Sequence, residues 1–333
     1  MLIDAFPFFN ELELAMFRIS YLANFVDKVI VAESHLTQQG NDKPLYFTEW
    51  LPKFNLPKEK IEIIYVPLTA SMGSMERDEF ARTFLMSHLI DKYPKTKYIL
   101  SDVDEIPSIE QVKTLLNSSG NYHFKTPTSY RRLNWQLVDT AHNSWSRAVM
   151  GDTEFAEKFN GGRLNKSIPI IDGEPGAHFS WLGIDSDIYY EKIRAFGHAE
   201  LNKSFLQPSV IIEFCDKYKI DHLGRARNKG FGLLRVVASE KNNSVIFSAK
   251  NAMPELFDDD IGAPNKLFRI FASIKISVYL GNSFLSRVSR KLFKMDYFLQ
   301  SKQMVIIFIV LWEAFLILIN NFYEKMLYIR KNK

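Results

Sequence analysis

The chain has 333 residues, 47% apolar, 24% charged and 14% aromatic, which excludes disordered, collagen-like and coiled-coil classes and provides for a sizeable core. Its one cysteine, Cys215, excludes an intrachain disulfide and a Cys-rich zinc site and points to a reducing compartment. The formal charge of +4 is uneven, because from Lys266 onward twelve Lys and Arg face Asp296, Glu313 and Glu324, a balance of +9 that leaves −5 on residues 1–265.

Residues 1–10 are too short and too acidic for a secretory signal, and residues 2–8 instead predict a first strand. Asn10 is placed to cap a helix on which Leu12, Ala15, Met16, Ile19 and Leu22 recur at helical spacing. Residues 28–33 and 61–66 read as buried strands, and a helix follows over about 76–93 with Phe80, Phe84, Leu85, His88 and Leu89 on one face. Residues 97–101 form a fourth strand that runs into Ser101-Asp-Val-Asp-Glu-Ile-Pro107, where Pro107 stops the ladder and permits a helix from Ser108. Strands and helices alternating in this way predict a layered α/β body with a mostly parallel sheet. From 121 to about 181 the pattern breaks into short β-like runs between polar turns, Asn160-Gly-Gly162 and Asp172-Gly-Glu-Pro-Gly176 among them, an irregular half of the kind that binds acceptors. Helical periodicity returns over 185–196 and 208–218.

Over 266–300, Leu267, Ile270, Phe271, Ile274 and Val278, then Leu285, Val288 and Leu292, share a helical face, with Arg269, Arg287, Arg290, Lys291 and Lys294 off it and a break at Gly281-Asn282. That is an interfacial amphipathic pattern. Residues 304–319 are sixteen in a row, apolar except for Glu313. They extend roughly 24 Å as helix, short of the roughly 30 Å of a hydrocarbon core. The segment 266–333 is therefore expected to lie on an anionic membrane surface or against a partner, a single spanning helix being the alternative. Its basic residues interleave with Phe, Ile and Leu rather than with Gly and Ser, which argues against a nucleic-acid partner.

The strongest chemical signal is the acidic segment after the fourth strand. Residues two apart in extended chain point the same way, so Asp102 and Asp104 present carboxylates together at a strand's carboxyl edge, where open α/β sheets bind ligands. Clustered anionic oxygens select a hard cation, Mg²⁺ or Mn²⁺, usually completed by substrate phosphates. The alternative is a capped turn in which Asp102 and Glu105 satisfy backbone N–H groups. Asn10, after the first strand, is placed for nucleotide contact or for capping; Glu33, leaving the second, is placed to grip ribose or base, or to face solvent. Arg82 lies beside Phe80 and Phe84, and its guanidinium suits bidentate phosphate contact or a structural ion pair. His178, on a short strand after a Gly/Pro turn, reads as a metal ligand, an acceptor contact or a core imidazole. Glu200, two residues after His198, offers a base, and Trp135 and Trp181 are sugar-stacking platforms or core aromatics.

Six segments stand together in the order and rough spacing of one family: Asp4-Ala-Phe-Pro-Phe-Phe-Asn-Glu-Leu-Glu-Leu14, Val26-Asp-Lys-Val-Ile-Val-Ala-Glu-Ser34, Lys43-Pro-Leu-Tyr-Phe47, Arg82-Thr-Phe-Leu85, Asp102-Val-Asp-Glu-Ile-Pro107 and Gly176-Ala-His-Phe-Ser-Trp181. Over about residues 1–235 the chain resembles glycosyltransferase family 17. The resemblance implies a GT-A-like α/β fold, a Rossmann-like mixed sheet flanked by helices, over 1–265. A donor half of about 1–126 and an acceptor half of about 127–265 then precede the helical tail, 266–333. It further implies a metal-dependent, inverting transfer of a sugar from a nucleotide diphosphate, UDP-N-acetylglucosamine foremost, to a glycan or lipid-linked hydroxyl. Cell-surface polysaccharide or glycolipid assembly at the cytoplasmic face of a membrane is the setting this suggests. Asp102, Asp104 and His178 would hold Mn²⁺ or Mg²⁺, and Asn10, Glu33, Arg82 and Asp102 would meet the donor. One general base, drawn from Glu200, Glu105 and His178 in that order, suffices without a covalent intermediate. Ala177 and Phe179 depart from the Trp and Cys of the animal enzymes, and no N-terminal Golgi anchor is read from the sequence, so their N-glycan acceptor is not carried over. Rival readings of the same acidic cluster are a metal-dependent nucleotidyltransferase or phosphohydrolase, and an inert membrane-docked sugar-binding module.

Overall fold

Strand β1, Leu2–Pro7, alternates its side chains between two apolar layers, and the whole body is built outward from it. The computed structural model describes residues 1–54, 56–137, 148–156, 167–183, 186–197, 212, 216–219, 234–236 and 243–260. β1 pairs in parallel with β2, Lys28–Glu33, and with β4, Lys97–Leu100, while β2 pairs in parallel with β3, Ile61–Tyr65. β6, Asn121–His123, and β9, Val149–Asp152, then add antiparallel strands, giving the order β3-β2-β1-β4-β9-β6. The sheet order reverses at β1 and β4, since β2 and β3 lie to one side of β1 and β4 to the other.

Both faces of this sheet are covered, as an interior parallel sheet requires. Leu2, Phe6, Val29, Val31 and Ile99 pack with Ala15, Ile19 and Leu22 of helix α1, Leu12–Leu22. Ile3, Ala5, Ile30, Ala32, Tyr98 and Leu100 pack on the opposite face with Leu85, Met86 and Leu89 of α3, Ser74–Lys92. Burying each large side chain of these layers contributes about 1.5–3 kcal/mol. α1 also has a second partner: Leu14 and Phe17 turn toward a smaller sheet of order β11-β8-β7-β10-β5. Its strands are β5 (Glu105–Ile106), β7 (Thr128–Tyr130), β8 (Trp135–Leu137), β10 (Ala177–Ser180) and β11 (Leu234–Val236). Thus β5 from early in the chain lies in the second sheet and β9 from later lies in the first, so the sheets exchange strands across position 126.

The sequence expectations for 28–33, 61–66, 76–93 and 97–101 are met within two residues at each end. α4, Ile109–Leu116, begins as foreseen behind Pro107, with Ser108 accepting from the Gln111 N–H at 3.1 Å and the Gln111 amide answering the Ser108 N–H at 3.0 Å. Asn10 is a correction: α1 starts one residue later than a cap there allows, its flanking Glu11 makes no side-chain cap, and Asn10 instead donates to Glu191 at 3.2 Å. The helix expected over 185–196 is α6, Ser186–Ala195, after α2 (Tyr46–Trp50) and the short α5 (Thr153–Ala156). α7, Ser244–Ala252, closes the second sheet with Val245, Ile246 and Ala249. Most of 208–218 and all of 266–333 fall outside the described residues, and among those described no helix is long and apolar enough to cross a membrane.

Candidate active site

A cavity of about 380 Å³ opens at the carboxyl ends of all four parallel strands. Phe9 and Glu11 reach it after β1, Glu33 and Ser34 at the end of β2, Val66 after β3, and Asp102 and Asp104 after β4. Ser180 and Trp181 close it from the end of β10, and Lys192 and Phe196 from α6 and just beyond. The reversal of strand order between β1 and β4 leaves a crevice there that no crossover connection fills, the usual place for a ligand in an open α/β sheet.

The acidic segment is a turn, held through its backbone so that Asp102 and Asp104 border the cavity. The Glu105 N–H donates to the Asp102 carbonyl at 3.0 Å, and the Glu105 carboxylate accepts from the Asp102 N–H at 3.1 Å. Arg18, fully buried on α1, clamps Asp4 of β1 through Nε at 2.8 Å and Nη2 at 2.5 Å. Its Nη1 donates to the carbonyls of Asp102 at 2.7 Å and Glu105 at 3.1 Å, and its guanidinium stands 4.8 Å over the Phe6 ring. The Phe179 N–H takes the Asp104 carbonyl at 2.8 Å, and β5 pairs Glu105 with His178. Gly176 permits that pairing, since a Cβ there would stand 2.1 Å from the Ile106 carbonyl oxygen.

Asp102 meets Arg82, and Asp104 meets both His178 and Lys192. Arg82 donates to Asp102 Oδ1 from Nε at 3.2 Å and from Nη2 at 2.8 Å, and also pairs with Asp78 one turn earlier on α3. Asp104 lies 3.6 Å from His178 Nε2 and 3.9 Å from Lys192 Nζ. Burial pushes the Asp104 carboxyl up, but the His178 imidazole and the Lys192 ammonium outweigh burial and the opposing charge of Asp102, and hold it below the ordinary carboxylate range. Burial likewise pushes Lys192 down, and Glu11, bonded to it at 3.1 Å, together with Asp104 raises it above the usual lysine value. Lys192 therefore stays charged beside the cavity, 5.7 Å over the Trp181 ring.

The other expected site residues divide. His178 lines the cavity, and its Nδ1 faces Thr128 Oγ1 at 3.3 Å. Glu105 is wholly buried with its carboxylate folded back on the turn, so it braces the site. Glu33 borders the cavity, yet its oxygens accept from the Phe47 N–H at 2.7 Å, the Thr48 N–H at 2.9 Å and the Thr48 hydroxyl at 2.7 Å. It anchors the start of α2, where a carboxylate answers otherwise unpartnered N–H groups. Asn10 is not among the lining residues, Glu200 and His198 lie outside the described residues, and Trp135 is a core residue whose indole N–H donates to Asp258 at 2.8 Å. Trp181 lines the cavity in a left-handed backbone conformation, φ +56°, costly for a bulky residue and held here by packing against Tyr189 and Phe196. Arg18 and Lys192 were not singled out by sequence. Each nevertheless sits inside an apolar helical stripe, Leu14-Ala15-Arg18-Ile19 and Tyr189-Lys192-Ile193-Phe196, and a cation in such a stripe is the available signal.

Asp102 and Asp104 both border the cavity, and carboxylate oxygens are the chemistry a hard divalent ion prefers, Mg²⁺ taking most of its other ligands from phosphate and water. Among the described residues no group of three or more His, Cys, Asp or Glu side chains is placed to hold a metal ion, so the expected set of Asp102, Asp104 and His178 is not brought together as three ligands.

A family model described as glycosyltransferase family 17 matches residues 1–221. A segment of 119 residues is 30% identical to the β-1,4-mannosyl-glycoprotein 4-β-N-acetylglucosaminyltransferases of Rattus norvegicus and Homo sapiens, and 29% identical to that of Mus musculus. Each match covers 33% of this chain and 22% of the relative's length.

Proposed function

Because the chain belongs to glycosyltransferase family 17, we propose that it transfers a sugar from a nucleotide-diphosphate donor seated in this cavity to an acceptor hydroxyl, on a GT-A-like framework. N-acetylglucosamine is the sugar this reading takes, on the strength of the relatives' names, with UDP as the carrier that the family resemblance implies. The observation that carries the reading is the placement of Asp102 and Asp104 in a cavity at the carboxyl ends of four parallel strands.

Departure of the diphosphate builds negative charge, which must be met where it develops. Mn²⁺ or Mg²⁺, held by Asp102 and Asp104, would neutralise that charge when bound. Arg82 keeps Asp102 in position through two N–H donors and adds a positive field on the same side. The attacking hydroxyl must lose a proton as it reaches the anomeric carbon. Of the three bases considered, His178 is the one that lines the cavity among the described residues. In this reading it takes the proton, and Asp104, 3.6 Å away, stabilises the imidazolium that forms. The basic, apolar segment 266–333 would dock the enzyme on the cytoplasmic face of an anionic membrane, where a lipid-linked acceptor is presented.

The test is a panel of nucleotide sugars offered to the full chain with and without Mn²⁺, scored for donor hydrolysis and sugar transfer. Asp104→Asn keeps side-chain volume and removes one charge, so turnover should fall about a hundredfold or more while circular dichroism stays native. Unchanged Mn²⁺-dependent turnover in that variant would remove Asp104 from the reaction. Release of phosphate or pyrophosphate without sugar transfer would favour the nucleotidyltransferase or phosphohydrolase reading.

A further inference from the structure

Among the described residues four cations line the cavity: Lys43, Arg77, Arg82 and Lys192. Three of them are engaged. Arg77 donates to the carbonyls of Gln38, Thr69 and Ala70 at 2.8–2.9 Å, with Gly40 packed flat against its guanidinium. Arg82 pairs with Asp78 and Asp102, and Lys192 with Glu11 and Asp104. Lys43 differs: its ammonium donates to the neighbouring Pro44 carbonyl at 3.2 Å and makes no ion pair among the described residues.

Lys43 is nonetheless 9% exposed and held in place. Its backbone N–H is fixed to the His35 carbonyl at 2.8 Å, and its Nζ lies 5.9 Å from the centre of the Phe9 ring and 5.4 Å from that of Tyr46. Tyr46 is itself stacked on Trp50 at 5.1 Å. Aromatic faces orient an ammonium without neutralising it, so the side chain is fixed in direction while its charge is left to act on whatever enters. Glu33, the carboxylate nearest in sequence on the same wall, already accepts three hydrogen bonds from α2.

We propose that Lys43 is an anion-binding residue of the cavity, placed to take a phosphate oxygen of a nucleoside diphosphate. The assignment rests on the donor reading above for the identity of its ligand, but on geometry alone for the sign of its charge. Burial pushes the Lys43 ammonium down, and Glu33 and Glu11 offset this in part, leaving it below the usual lysine value. An arriving phosphate supplies a counter-charge in place of the hydration lost on burial, through a charge-assisted bond of the stronger kind. Lysine serves phosphate as a point charge, without the planar fork of arginine, which suits a side chain flanked by two rings.

Calorimetry on the full chain with UDP, pyrophosphate and uridine as probes tests this. Lys43→Met keeps the stem beside the rings and removes the charge. It should weaken UDP and pyrophosphate binding about tenfold or more, leave uridine binding unchanged and leave the melting temperature within a few degrees. Lys43→Arg should hold UDP affinity within about threefold. Equal UDP and pyrophosphate affinity in wild type and Lys43→Met overturns the assignment, as does an equal loss of uridine binding, which marks a packing role. If wild type binds pyrophosphate through Lys43 but no nucleoside diphosphate, the anion site stands and the donor reading fails.

Discussion

Arg18 is a fully buried cation on the apolar side of α1, and it is tolerated because every direction of its guanidinium has an acceptor: both oxygens of Asp4 and the carbonyls of Asp102 and Glu105. Removing it alone, as Arg18→Met, strands the Asp4 charge in the core and should cost about 3–5 kcal/mol. Replacing both partners, Asp4→Leu with Arg18→Met, should recover most of that loss in a denaturant midpoint, since a buried pair exchanged for apolar side chains is often neutral. Donor hydrolysis should not recover, because the turn carrying Asp102 and Asp104 has lost its clamp. A double variant that regains both stability and turnover would reduce Arg18 to a partner for Asp4. The acidic pair and His178 were legible in the sequence because their chemistry is local to short motifs. Arg18, Lys43 and Lys192 were not, because what matters about each is which carboxylate, carbonyl or ring lies across the fold. Glu33 borders the cavity as expected, but its bonds to the N–H groups of α2 were not legible for the same reason.

At the scale of elements, β3 is the edge of the large sheet, and its outward Glu62 joins it to α3. His88 at 2.7 Å, Lys92 at 2.8 Å and the Tyr93 hydroxyl at 2.5 Å all reach that carboxylate, and Lys28 of β2 lies at 3.5 Å. Burial pushes the carboxyl up, but the hydrogen bonds from Lys92, Tyr93 and His88 outweigh it and hold it at about 2, against an ordinary 4.5. A carboxyl lowered on folding adds stability that is fully present above pH 4.5 and is lost as the pH falls through 2. The melting temperature of wild type should therefore exceed that of Glu62→Gln at pH 7, and the gap should close toward pH 2. A gap independent of pH would mean that Glu62 acts through shape rather than charge. Elements of this outer layer were readable because four buried strands and two long amphipathic helices carry their own periodicity. β5, β7 and β8 were not resolved by sequence, being two or three residues long with partners that are mostly distant in the chain.

Across the whole molecule, charge divides an acidic body from a basic end, −5 on residues 1–265 against +9 from Lys266 onward. If that end docks the enzyme, the full chain should sediment with anionic liposomes and be released in part by high salt, as a mixture of charge and apolar burial requires. A chain ending at Pro264 should remain in the supernatant and still bind UDP. A full chain that ignores liposomes, or a shortened one that still sediments, would assign the segment to the core or to an oligomer contact. The exchange of strands between the two sheets has a temporal consequence as well. Glu105 pairs with His178, and Glu11 with Lys192, contacts that close very long loops of chain and therefore form late. As the polypeptide leaves the ribosome, its first 150 residues can lay down the parallel strands and the acidic turn, yet they contain neither the imidazole nor the ammonium that flank Asp104. An interrupted translation product would thus carry the turn without its completed surroundings, which exist only once synthesis has passed α6.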